Sequence, residues 1–138
     1  MEKRRTNPAF LSNDEADRGK PYIRVGVTNS FIVDFYPQDR VVVVYGREIP
    51  LSCPFKLRFS MSETKAIIPL LQKAKAAMRK KEVTRIGEGD NIIVDSDGNQ
   101  RLVMVYEKTT PKGQFKLAFS EIERTAVIKL LVKARSLF

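Results

Sequence analysis

Phe55-Lys56-Leu57-Arg58-Phe59-Ser60-Met61-Ser62-Glu63 is echoed sixty residues later by Phe115-Lys116-Leu117-Ala118-Phe119-Ser120-Glu121-Ile122-Glu123. In both stretches Phe, Leu and Phe alternate with other residues up to a serine, which is the period of a strand with one face turned to a core. After the serine the apolar spacing becomes helical. Ser60 with Glu63 and Ser120 with Glu123 read as capping boxes, in which both side chains satisfy amides that the first helical turn leaves free. A strand that runs into a capped helix, twice in one chain, makes the protein a duplication.

The repetition extends in both directions. Glu63, Ala66, Ile68, Leu70, Leu71, Lys73 and Ala74 recur as Glu123, Ala126, Ile128, Leu130, Leu131, Lys133 and Ala134. Upstream, Arg24, Gly26, Ile32, Val33, Asp34, Arg40, Val42, Val44, Tyr45 and Pro50 recur as Arg85, Gly87, Ile93, Val94, Asp95, Arg101, Val103, Val105, Tyr106 and Pro111. One deletion after Pro50 reconciles the two offsets. The chain therefore divides into a polar tail, 1–21, expected to be disordered; a first unit, 22–78; a basic linker, 79–82; and a second unit, 83–138.

Four strands are expected in each unit, near 22–27, 31–36, 40–46 and 55–60, and near 83–87, 91–95, 101–107 and 114–119. Asp97-Gly98 is the clearest hairpin signal. The helices place Ala66, Ile67, Leu70, Leu71, Ala74 and Met78, and then Ala126, Val127, Leu130, Leu131, Ala134 and Phe138, on apolar stripes that belong to the core. Pro69 projects away from its stripe, so it is expected to kink the helix outward without ending it. The fold class that follows is α+β: two tandem ββββα repeats, with antiparallel sheets packed on amphipathic helices. Neither unit holds a sufficient core alone, so the two are expected to form one pseudo-twofold domain.

Composition narrows the chemistry. A single cysteine, Cys53, forms no internal disulfide and is expected to be structural. With no histidine in the chain and scattered carboxylates, neither a catalytic acid/base pair nor a metal cage is visible, and no enzyme activity or cofactor is expected. The longest uninterrupted apolar runs, Val41 to Tyr45 and its echo Leu102 to Tyr106, are too short for a bilayer span. Met1 to Arg5 leads into no signal-like apolar stretch, so an intracellular protein without a membrane partner is expected. The formal charge is +9, from 25 Lys and Arg against 16 Asp and Glu. The tail holds five basic and four acidic residues, which leaves nearly all of the excess on the body formed by the repeats and their linker. A basic body attracts polyanions.

The strand-into-helix stretch 55–71 and its echo at 115–131 resemble the corresponding unit of positive cofactor four. The duplicated four-strand-and-helix arrangement over 22–138 resembles the single-stranded nucleic-acid-binding superfamily to which that coactivator, Pur-alpha repeats and Whirly proteins belong. The resemblance implies binding of single-stranded DNA or RNA, DNA favoured, on a β-surface where cations track phosphate and aromatic rings stack on bases. The cations that answer to this are Arg24, Arg40, Lys56, Arg58, Arg85, Arg101, Lys108, Lys112 and Lys116. The stacking candidates are Tyr22, Tyr36, Tyr45 and Tyr106.

Each candidate also has a structural reading. Arg24 and Arg85, or Arg40 and Arg101, can instead bridge the repeated acids Asp34 and Asp95. Tyr45 and Tyr106 alternate with valines and fit a core. Lys56, Arg58 and Lys116 are the best placed, since the alternation puts them opposite the helix-covered face. Arg58 corresponds to Ala118, so the first copy is expected to carry more of the binding. Arg79-Lys80-Lys81 reads first as a helix C-terminus favouring cations, and second as a nucleic-acid contact. The valine-rich third strands are apolar enough to suggest burial within or between chains, which makes a structural or oligomerising module, assembling through its sheets, the alternative function.

Overall fold

A computed structural model of the chain describes residues 20–47, 56–108 and 116–138. The tail through residue 19, Cys53, Lys112 and the leading residues expected in the fourth strands lie outside the described residues. The first repeat forms β1 (Ile23–Val27), β2 (Phe31–Tyr36), β3 (Val41–Gly46), β4 (Leu57–Phe59) and α1 (Met61–Ala77). The second forms β5 (Val83–Glu88), β6 (Ile92–Asp97), β7 (Leu102–Glu107), β8 (Leu117–Phe119) and α2 (Glu121–Arg135). Each set of strands is an antiparallel meander in its own four-stranded sheet, β1-β2-β3-β4 and β5-β6-β7-β8. The chain is thus α+β, two tandem ββββα repeats.

Register follows the alternation. Val33, Phe35, Val42, Val44, Leu57 and Phe59 of the first sheet belong to one buried cluster, together with Val94, Val103, Val105, Leu117 and Phe119 of the second and the apolar stripes of both helices. The third-strand valines are accordingly buried within the chain: Val42 and Val44 enter this cluster, and Val43, on the opposite face, is 0% exposed. Both main hairpins close with four-residue turns, since Tyr36 pairs with Val41 and Asp97 with Leu102. Each turn ends on an arginine in the left-handed region, Arg40 at φ 53° and Arg101 at φ 57°. The Asp97 carboxylate accepts from the amides of Asn99, 2.9 Å, and Gln100, 3.3 Å, which fixes the second turn.

The helices exchange places. α1 packs chiefly on β5 and β6 of the second repeat, α2 on β1 and β2 of the first, and the two helices pack on each other. This explains the repeated glycines. A β-bulge between Arg24 and Gly26, and another between Arg85 and Gly87, shifts the register of each first strand. A Cβ on Gly26 would collide with Leu130 of α2, and one on Gly87 with Leu70 of α1. With glycine at both places the two leucines seat on the strands without having to turn aside. Aromatic contacts also join the halves: the Phe31 ring lies 4.6 Å from that of Phe119, and Phe35 meets Phe138 edge-on at 5.0 Å.

The capping boxes form by half. Ser60 Oγ accepts from the Glu63 amide at 3.2 Å and Ser120 Oγ from the Glu123 amide at 3.3 Å, as the spacing requires. The glutamates do not fold back. Glu63 accepts from the amides of Asp90, 2.7 Å, and Asn91, 2.8 Å, in the β5–β6 turn, and Glu123 accepts from the Thr28 hydroxyl at 2.5 Å in the β1–β2 turn. The cause is the exchange itself, because each helix begins beside the other repeat's first hairpin. Helix α1 runs unbroken through Pro69, whose ring is exposed. The linker rests on the second sheet: the Gly98 amide donates to the Glu82 carbonyl at 2.9 Å, and the Lys80 carbonyl occupies the space a Cβ on Gly98 would need.

Candidate nucleic-acid interface

The faces turned away from the helices carry most of the residues that the sequence singles out. On the first sheet Arg24 pairs with Asp34, and Asp34 with Val43, which pairs with Arg58, so one row crosses all four strands. The second sheet repeats it as Arg85, Asp95, Met104 and Ala118. Beside each row stands a tyrosine, Tyr45 opposite Ile32 and Tyr106 opposite Ile93.

Arginine, aspartate and tyrosine make the same triad twice. Arg24 Nε donates to Asp34, whose other oxygen accepts from the Tyr45 hydroxyl at 2.7 Å. Arg85 Nε donates to Asp95 at 2.5 Å, and the Tyr106 hydroxyl donates to the other oxygen of Asp95, also at 2.5 Å. The structural reading of Arg24 and Arg85 as partners of Asp34 and Asp95 is therefore what the geometry shows. Arg40 and Arg101 do not bridge these acids; they sit exposed at the turn tips.

The two triads differ in their surroundings. Burial pushes the Asp34 carboxyl above its usual range, against the opposing pull of Tyr45 and Arg24. Burial, with the adjacent Asp34 charge, drives the Tyr45 phenol far upward. In the second triad the Asp95 hydrogen bond raises Arg85, and burial raises the Tyr106 phenol. Ile32, Tyr36, Val43 and Tyr45 form a small buried cluster of their own, and Tyr45 is only 3% exposed. Its ring is not open to a base in this structure. The equivalent Ile93, Met104 and Tyr106 are half-buried, and the Arg85 side chain is 49% exposed. The outer face of the first sheet is thus the more closed of the two, although that copy carries Arg58 where the second has Ala118.

The other candidates fall around these faces. Lys56 Nζ lies 5.8 Å from the centre of the Tyr45 ring. Arg58 reaches Asp39 at 3.8 Å, and Lys20 holds the same carboxylate at 2.8 Å. Leu117 pairs with Val105, so Lys116, exposed, falls across from Tyr106. Lys108 binds Glu88 at 3.1 Å, as does Arg85, and the Lys108 bond holds the Glu88 carboxyl below its usual range. Tyr22 packs on Tyr36 with ring centres 5.6 Å apart, and Arg24 lies over the Tyr22 ring at 5.5 Å. Sequence reasoning missed the tyrosine-to-aspartate bonds, although the joint repetition of Arg, Asp and Tyr at one offset was the signal for them.

Among the described residues no group of His, Cys, Asp and Glu could hold a metal ion, and no helix is long and apolar enough to cross a membrane. No family model matches the chain, and neither a curated protein nor a solved structure matches it.

Proposed function

We propose that the protein binds single-stranded nucleic acid, DNA in preference to RNA, without catalysis, on the outer face of its sheets. The observation that supports this best is the open face of the second sheet. There a half-buried tyrosine ring, Tyr106, lies among Ile93 and Met104, with exposed Lys116 and Arg85 at its margin. A flat aromatic and apolar platform rimmed by cations is what an unpaired base and its phosphate require. The Asp95 bond holds the ring in place, so little freedom is lost on stacking.

Fluorescence anisotropy with a labelled oligonucleotide of roughly 10–20 nucleotides tests the reading at low salt. Wild-type protein is expected to bind, and Tyr106→Ala to weaken binding by about 1–3 kcal/mol, the usual worth of one stacked base. Absence of binding by the wild type at low salt would sink the proposal.

The alternative, a structural module that assembles through its sheets, is favoured by one observation. The outermost strands β1 and β5 expose Ile23, Val27 and Val83, the last at 61%. A sedimentation profile with a concentration-dependent dimer, combined with no affinity for oligonucleotides, would favour it.

A further inference from the structure

The sheets mix paired and unpaired cations, since Arg40, Arg101 and Lys116 are exposed with no side-chain bond among the described residues, whereas the exposed helical side holds only unpaired ones. On the sheets, Lys20, Arg24, Arg58, Arg85 and Lys108 are each held by a carboxylate. On the helical side Lys65, Lys73 and Lys75 of α1, and Arg79, Lys80 and Lys81 just after it, are all exposed. Among the described residues none of the six finds a side-chain hydrogen bond or ion pair, and the same is true of exposed Lys129, Lys133 and Arg135 of α2. Local acids do not answer them. Glu63 and Glu123 are buried in the bonds that join the repeats, which leaves exposed Glu82 and Glu121.

We infer that the solvent faces of α1 and α2, with the linker between the repeats, form a second nucleic-acid surface that grips the sugar-phosphate backbone of single and double strands alike. Positive charge without internal counterions is what counterion release rewards. Lys129 and Lys133 stand one helical turn apart, about 6 Å, on the same side of α2. Because α1 and α2 pack on each other, their lysines belong to neighbouring elements of one layer. The described solvent face of α1 and α2 carries no exposed aromatic side chain, so this surface follows charge and does not read or stack bases. An anionic membrane suits it less well, since each helix has already committed its apolar stripe to the core. The inference does not depend on stacking at Tyr106.

The test uses the full chain carrying Lys65→Gln, Lys73→Gln, Lys129→Gln and Lys133→Gln together, titrated with a labelled 20-base-pair duplex across a range of salt. Wild-type protein should bind the duplex at low salt, and the variant should bind at least about tenfold more weakly, its salt dependence flattened by roughly 0.9 for each phosphate that is no longer neutralised. An unchanged melting temperature would show that the fold is intact. Tyr106→Ala should leave duplex binding unaltered, so loss of single-strand binding in that variant alone speaks only to the sheet. Equal affinity and equal salt slope in the quadruple variant overturn the inference. So does wild-type protein that ignores the duplex, whether it binds single strands only or vesicles containing phosphatidylserine.

Discussion

At the scale of single residues, the triads show the same bonds made in two surroundings, one closed and one half-open. Tyr45 is buried with its hydroxyl on Asp34, and its phenol ionises far above the ordinary range. The unfolded phenol ionises near pH 10, so the folded state holds the proton more tightly. Stability tied to this group is therefore complete below about pH 10 and falls as pH rises further, by about 1.4 kcal/mol per pH unit. Tyr45→Phe should flatten that alkaline limb in thermal melts while losing about 1 kcal/mol at neutral pH with the hydrogen bond. An alkaline limb as steep in the variant as in the wild type would exclude Tyr45 as its source. The pairing of Arg24 with Asp34 was legible as one of two readings of a repeated charge. The closure of the first sheet's outer face was not, because alternation tells which residues share a face and says nothing of what lies over it.

At the scale of elements, the strands, the serine caps and the core stripes could all be read from period and punctuation. The partner of each helix could not. An amphipathic stripe specifies that one side must be covered, and a sheet of its own repeat or of the other satisfies that equally well. Gly26 and Gly87 held the missing information, but a repeated glycine in a strand reads as a bulge long before it reads as the seat of a distant helix. The exchanged packing makes a specific prediction about this seat. Gly26→Val should destabilise the protein by about 1–3 kcal/mol through overpacking against Leu130. Adding Leu130→Ala should restore part of that loss, whereas Leu70→Ala should restore none, since Leu70 lies over Gly87. A double-mutant cycle from denaturant melts measures the coupling, and additive effects for Gly26 and Leu130 would contradict the packing between them.

At the scale of the whole molecule, exchanged helices make the two repeats one cooperative unit. Each sheet is capped by the other repeat's helix, and each first hairpin is held by the other repeat's glutamate. A chain of residues 22–78 alone should therefore not fold as a monomer. It should either remain unfolded or pair with a second copy that supplies the absent helix, with a melting temperature that rises with concentration. A stable monomer of that length in sedimentation equilibrium would refute the interdependence.

The helix crossing places a further condition on such pairing. Arg124 of α2, 5% exposed, donates through Nη1 to the Leu71 carbonyl of α1 at 3.0 Å, and its Nε has no partner among the described residues. The equivalent place in α1 is Thr64, whose hydroxyl turns back on the Ser60 carbonyl at 2.8 Å. Two copies of the first repeat would meet with threonine on both sides, while two copies of the second would bury two uncompensated guanidinium ions at one crossing, a severe penalty. Covalent fusion has thus released the halves from having to fit themselves. The molecule is built as a symmetric pair, yet its second half fits the first better than it would fit itself.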